Sequence, residues 1–233
     1  MSGAMVSSHV VIPCRYGSVR LPGKPLADIG GEPMFYRVYQ SACRSKAQSV
    51  VVATDDERIA DACISRRVPF VMTSRDIATG TDRAAFVARQ FSYDGIVVNV
   101  QGDQPFIDHR LIDRVIDGCV GVDACTACSD EDDGVRVLVD HGGWIATEFS
   151  RAAVGGYKHI GLYAYTAAAL EKFAALRMSA REKTESLEQL RALEVGMRIR
   201  VVLYDGIPMP EVNTEHDLIE ARAVFNELEK ANE

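Results

Sequence analysis

Short runs of β-branched residues alternate with longer stretches of helical spacing through the first half of the chain. His9–Pro13 (HVVIP), Ser49–Thr54 (SVVVAT), Pro69–Met72 and Ile96–Val100 (IVVNV) read as strands. Between and after them, Pro33–Lys46, Asp56–Arg66, Thr81–Ser92 and Arg110–Cys119 carry apolar residues at helical spacing, with Pro33 in a first turn. Continuous Val/Ile runs, in place of strict alternation, mark strands covered on both faces. The pattern predicts an α/β fold with a mostly parallel central sheet and helices on both sides.

After about residue 122 the strand signals crowd together: Asp123–Ala127, Val135–Val139, Trp144–Phe149 and Tyr157–Tyr165, with His141-Gly142-Gly143 as a hairpin turn. These predict a small lobe at about 122–165, extending the sheet and covering one end of it. Helices at about 166–176 and 184–195, a strand at 198–204 and a helix from about 215 complete the pattern. Thr214 and Asp217 stand at capping-box spacing before the last helix. With no repeat, low-complexity tract or linker, residues 1–233 read as a single domain.

Composition narrows the function classes. A hydrophobic share of 47% over 233 residues excludes a disordered chain, and the chain lacks the roughly 18 unbroken apolar residues of a membrane span. The net charge of −7 argues against nucleic-acid binding, so an anion site must be a local cluster of cations. The six cysteines (Cys14, Cys43, Cys63, Cys119, Cys125, Cys128) form no dense framework and read as reduced thiols of a cytoplasmic protein. Cys125-x-x-Cys128 lies in an apolar run without a second Cys/His pair at zinc spacing, and reads as part of a strand. Met1–Met5 has neither a basic nor an apolar signal-peptide region and reads as a non-native extension ahead of the native start.

Candidate chemistry begins directly after the first strand. Cys14-Arg-Tyr-Gly-Ser-Val-Arg-Leu-Pro-Gly-Lys-Pro-Leu26 places Arg15, Arg20 and Lys24 within ten residues. In open α/β sheets ligands bind beyond the carboxyl ends of the strands. Gly17 and Gly23 let backbone approach closely, Arg gives forked phosphate contacts and Lys a point charge, so a polyphosphate is the natural partner. A solvated basic loop is the competing reading. Neither a P-loop nor a dinucleotide G-x-G-x-x-G pattern is present. At the end of the fourth strand, Asp103 would face this loop. A single Asp beside a triphosphate suits Mg²⁺, although an Asp in a turn also serves as a cap.

Together these segments resemble the sugar-acid cytidylyltransferases, most closely the CMP-Kdo synthetase family, which acts on 3-deoxy-manno-octulosonate (Kdo). The resemblance spans nearly the whole chain. It runs through Ile12–Leu26, Val52-Ala-Thr-Asp55, Met72-Thr73, Thr79-Gly-Thr-Asp-Arg83 and Asn99-Val-Gln-Gly-Asp103. It continues through Phe149-Ser-Arg151, His159-Ile-Gly-Leu-Tyr163 and Leu187-Glu-Gln-Leu-Arg191. It implies a nucleotide-diphospho-sugar transferase-like, Rossmann-like fold, CTP as donor, Mg²⁺ as cofactor, a small anionic acceptor and a homodimer. By resemblance Arg15 and Lys24 hold the triphosphate, with Arg20, Tyr16, Gly17 and Ser18 in the same loop. Thr73, Thr79, Gly80, Thr81 and Arg83 border the nucleoside, and Asp103 carries the metal. Gln101, Arg151, Lys158, His159, Tyr163, Glu188 and Gln189 stand at or beside acceptor positions. His159 is a general base, an anion contact or a packed structural residue, and Glu188 and Gln189 could equally form an ordinary helix face.

Two departures qualify the resemblance. The family's late motif, as in G-V-D-T-P-E-D-L, reads here Glu211-Val-Asn-Thr-Glu-His-Asp-Leu218, with Asn213 where a metal-binding Asp is usual. An amide oxygen ligates Mg²⁺ without adding charge. The arm before the His-x-Gly-x-Tyr motif is also short, only Ala152–Lys158, and predicts an acceptor smaller or more highly charged than Kdo, such as phosphonoformate, alongside Kdo itself. Two further readings stay open: a nucleotidyltransferase using UTP or another donor on a sugar 1-phosphate, and a non-catalytic nucleotide-binding relative.

Overall fold

The structure, a computed structural model, describes residues 6–152, 155–206 and 210–232. Residues 1–5 and residues 153–154 of the short arm lie outside the described residues.

Strands β1 (Ser8–Cys14), β2 (Asp28–Ile29), β3 (Glu32–Pro33), β4 (Ser49–Thr54), β5 (Phe70–Met72) and β6 (Ile96–Val100) build the first half with helices α1 (Met34–Ala42), α2 (Glu57–Arg66), α3 (Gly80–Gln90) and α4 (His109–Gly118). Side-chain caps explain where three helices start: Asp56 accepts from Arg58 N at 3.0 Å, Thr79 from Asp82 N at 3.1 Å and Asp108 from Arg110 N at 2.9 Å. β1 pairs in parallel with β4 on one side and β6 on the other, and β4 pairs in parallel with β5. The strand order reverses beside β1, which opens a crevice at the carboxyl ends of β1 and β6. All five residues of β6 are buried, as a strand packed on both faces requires.

The second half contains β7 (Ala124–Ser129), β8 (Arg136–Asp140), β9 (Ile145–Ser150), β10 (Tyr157–Thr166), β11 (Ile199–Leu203), α5 (Ala167–Ala175), α6 (Ala180–Glu185), α7 (Gln189–Glu194) and α8 (Glu215–Asn232). The nine-stranded sheet runs β5-β4-β1-β6-β10-β7-β11-β9-β8. A further pairing joins β8 to β10, so β10, β7, β11, β9 and β8 close into a ring. β10 links the two halves: Leu162–Thr166 pair with β6, while Tyr157–Ile160 run into the ring. Cys125 and Cys128 both lie buried in β7 as free thiols.

The predicted helix over 184–195 is broken. α6 ends at Ser186 in the left-handed region (φ 55°), and α7 begins three residues later. The break turns Leu187 into the core and Glu188 toward the crevice. A third apolar cluster joins Ile29 and Met34 to Val212, Leu218 and Ala221, and so fixes the segment before α8 against the loop after β1.

Candidate active site

The loop after β1 folds back on itself. Gly23, at φ 71°, donates its N–H to Tyr16 O at 2.9 Å, and a Cβ there would meet the Tyr16 ring at 3.0 Å. The Arg58 guanidinium covers that ring and is itself held by Asp56 at 2.8 Å. The loop's crest, with Gly17 and Arg20, is exposed, and Ser18 is half-buried there. Arg15, also exposed, donates to Ala78 O at 2.9 Å and stands 3.6 Å from Asp55, so it spans to the segment that opens α3.

Lys24 lies deeper. Its Nζ donates to Asp103 Oδ2 at 2.7 Å, Asn213 Oδ1 at 3.1 Å and Val212 O at 3.2 Å, and Arg20 donates to the same Asn213 oxygen at 2.9 Å. Lys24 and Arg20 therefore meet the expected metal residues Asp103 and Asn213 in one cluster drawn from three distant segments, while Arg15 stands apart at Ala78 and Asp55. The ammonium stands where a carboxylate, an amide oxygen and a backbone carbonyl converge on a cation. That all-oxygen set, with one carboxylate, fits the preference of Mg²⁺.

The Thr79–Arg83 segment divides. Thr79 and Gly80 line the entrance to α3, half-buried, with Gly80 packed against Gln101 and Asn99. Arg83 is fully buried, paired with Asp55 at 3.0 Å and hydrogen-bonded to Thr73 Oγ1 and to Ile77 O at 3.3 Å. Thr73 Oγ1 in turn donates to Thr54 O at 2.9 Å. Arg83 and Thr73 thus brace the crevice from inside. Thr81 is fully buried; its hydroxyl donates to Glu188 Oε1 at 2.7 Å and accepts from Asn99 Nδ2 at 3.1 Å. With its one hydrogen given to Glu188, that hydroxyl is committed to a side chain that lines the cavity described next.

A cavity of about 1270 Å³ opens beside Asp103, between β10, the α6–α7 break and α8. Gln101, Arg151, Lys158, His159, Tyr163, Glu188, Gln189 and Asn213 all line it. Arg151 is exposed and donates to Glu185 O at 3.1 Å. Lys158 pairs with Glu131 and, at 2.8 Å, with Asp133, so its positive charge is neutralised locally. The His159 ring bonds Thr126 Oγ1 at 3.0 Å and packs edge-on against Phe149. Burial lowers its pKa to about 3, which keeps the imidazole neutral. Burial also raises the Glu188 carboxyl, against the opposing hydrogen bond from Thr81.

Residue patterns did not point to Gln104, Glu211 and Asn99. Gln104 is 2% exposed and donates Nε2 to Glu211 Oε1 at 3.0 Å. Surrounding protein, and then the neighbouring Asp103 charge, raise the Glu211 carboxyl although its side chain opens to the cavity. The signal for Glu211 was a charged side chain at the first position of Glu211-Val-Asn-Thr, where the family motif has Gly. Gln104 Oε1, Glu188 Oε2, Asn99 Oδ1 and the Tyr163 hydroxyl have no hydrogen-bond partner among the described residues. Three of those four atoms are acceptors only.

Residues 9–119 match the cytidylyltransferase family model. The chain is 41% identical to the 3-deoxy-manno-octulosonate cytidylyltransferase of Marinobacter nauticus, over 94% of this chain and 97% of that one. It is 42% identical to the enzyme of the same name from Methylococcus capsulatus, over 91% and 95%. Among solved structures, CMP:2-keto-3-deoxy-manno-octonic acid synthetase complexed with CTP superposes with a TM-score of 0.89 at 35% identity, over 95% and 99% of the two chains. A putative glucose-1-phosphate thymidylyltransferase from Bacillus anthracis shares the fold, with a TM-score of 0.73 at 18% identity over 94% and 95%.

Proposed function

The chain belongs to the 3-deoxy-manno-octulosonate cytidylyltransferase family, and from that premise we propose that this cytidylyltransferase moves CMP from CTP onto a polyhydroxylated sugar acid of the Kdo type, releasing pyrophosphate. The observation carrying the acceptor reading is the wall of the 1270 Å³ cavity, where Glu188, Gln104 and Glu211 offer oxygens that only accept hydrogen bonds. A sugar acid supplies hydroxyl donors to such a wall; a phosphonate brings further acceptors and negative charge.

In this reading the acceptor oxygen attacks the α-phosphorus in line while pyrophosphate leaves opposite. Such transfer needs positioning and charge neutralisation more than a protein nucleophile. Arg15 and Lys24 would neutralise the triphosphate, Arg20 would hold the loop through Asn213, and Arg151 would meet the acceptor's carboxylate. Asp103 and Asn213 would hold Mg²⁺, which when bound neutralises charge on the phosphates. Arg83, Thr73 and Asn99 would fix the walls. His159, neutral and held by Thr126, would orient a polar group of the acceptor and not serve as a strong base. The resemblance extends the proposal to a homodimer.

The short Ala152–Lys158 arm favours the second reading, a small phosphonate acceptor such as phosphonoformate. Against it, the cation that this arm adds is already paired with Glu131 and Asp133. Pyrophosphate release with CTP and Mg²⁺, with Kdo and phosphonoformate offered separately, decides between them. Substituting UTP for CTP tests the donor in the same assay. Release with Kdo and CTP is expected; release with phosphonoformate alone overturns the acceptor proposal.

A further inference from the structure

Glu211, Gln104 and Gly161 meet at one point of the cavity wall. Gln104 is almost completely buried, and its amide donates to Glu211 Oε1 at 3.0 Å. A carboxylate accepts hydrogen bonds and does not donate them, so this bond fixes which way the Gln104 amide points. Its Oε1 then has no donor among the described residues. The Glu211 side chain itself is open to the cavity.

Gly161 leaves the space between them clear. Strand β10 bulges between Ile160 and Tyr163, and the Thr126 hydroxyl stabilises the bulge by bonding Leu162 O at 2.8 Å and Ile160 O at 3.3 Å. A Cβ added at Gly161 would lie 3.6 Å from Glu211 Oε1, 3.8 Å from Gln104 Nε2 and 3.9 Å from Gln101 Cγ. A methyl group fits there without a clash, but it would stand in front of the Gln104–Glu211 pair.

We propose that Glu211, oriented by Gln104 and left accessible by Gly161, forms a hydroxyl-binding subsite that selects a polyhydroxylated acceptor over a small, highly charged one. The proposal rests on the acceptor reading above. Glu211 accepts a hydrogen bond from an acceptor hydroxyl. The same negative charge, close to Asp103, repels a second anionic group on the acceptor. A site built to bond a hydroxyl discriminates strongly against ligands lacking it, because the site's polar groups are then left unpaired.

The test is steady-state pyrophosphate release by the whole chain, with the acceptor varied at saturating CTP and CTP varied at saturating acceptor. Kdo, a set of Kdo analogues each lacking one hydroxyl, and phosphonoformate are offered to the wild type, Glu211→Gly, Glu211→Gln and Gly161→Ala. For Glu211→Gly the Kdo KM rises about ten-fold or more, the scale of one hydrogen bond to a charged group. CTP affinity and kcat stay within about two-fold, because a bond to the acceptor that is equally strong in the ground and transition states governs KM alone. One deoxy analogue shows no further loss in the variant, which identifies the hydroxyl involved. Activity on phosphonoformate relative to Kdo increases. Gly161→Ala, which keeps the charge, raises the Kdo KM in the same direction and covers the case in which Glu211→Gly does not fold. An unchanged Kdo KM in all three variants, with an active wild type, overturns the subsite and leaves the acceptor reading standing. A wild type that uses phosphonoformate and not Kdo overturns both.

Discussion

The two halves of the site handle charge differently. On the nucleotide side, Arg15 and Arg20 reach solvent from a loop after a buried parallel strand, and Lys24 is held by three oxygens from distant segments. On the acceptor side, Lys158 is paired, His159 is kept neutral, and carboxylates outnumber free cations along the wall. A highly charged triphosphate needs several cations within reach of the crevice. A sugar acid with one carboxylate and several hydroxyls needs fixed acceptors and few charges.

The strongest way to break it is at the junction. Asp103→Asn removes the carboxylate that the all-oxygen set supplies. Turnover is predicted to fall about a hundred-fold or more, the scale seen when one electrostatic stabiliser is lost, while the melting temperature changes little. Retention of most activity, measured as pyrophosphate release, contradicts the assignment of Asp103.

Arg83→Ala tests whether the nucleotide half is braced from within. Removing a fully buried guanidinium leaves Asp55, which is itself nearly buried, without its closest charge partner. A loss of about 3–5 kcal/mol is predicted by denaturant unfolding. Arg15→Ala, an exposed cation, is predicted to leave stability nearly unchanged and to weaken CTP binding. If the two behave alike, bracing and ligand binding are not separated as described.

Thr81→Val sharpens the boundary between the halves. Although Thr81 sits in the Thr79–Arg83 segment proposed to border the nucleotide, its hydroxyl bonds Glu188. The acceptor KM is predicted to rise roughly ten-fold with CTP affinity unchanged, and Thr81→Ser is predicted to restore it. A fall in CTP affinity with a normal acceptor KM would return Thr81 to the nucleotide.

The smallest effect concerns His159. With a folded pKa near 3, its imidazole stays neutral from pH 5 to 8, so His159→Gln changes kcat by less than about three-fold and leaves its pH profile without a new or missing limb. In the unfolded chain the imidazole binds a proton near its usual 6.5, so the wild type gains stability as pH rises from about 3 toward 6.5. The variant shows less of that gain in acid–base unfolding curves.

Legibility in the sequence follows the same division. The parallel half is readable because β1, β4 and β6 each carry a continuous Val/Ile run and each cap lies beside its helix. Its cationic loop is contiguous as well. The acceptor half is readable in its pieces and not in its assembly. Nothing local to Tyr157–Thr166 says that this strand inserts between β6 and β7 and also closes the ring with β8. The break at Ser186 is hidden because both sides of it carry helical spacing. Gln104 and Glu211 escape a local reading because their partnership joins residues 107 positions apart. Asn213 stands out as a departure, but its bonds to Lys24 and Arg20 depend on the third apolar cluster that docks α8.

The central claim is that an acceptor-rich cavity beside a cationic loop transfers CMP to a polyhydroxylated sugar acid. The most direct measurement is a product mass balance from CTP, Mg²⁺ and Kdo. One CMP-sugar-acid ester formed per pyrophosphate released, with no CMP anhydride from phosphonoformate under the same conditions, is the predicted result. Formation of the phosphonoformate anhydride alone would contradict the account.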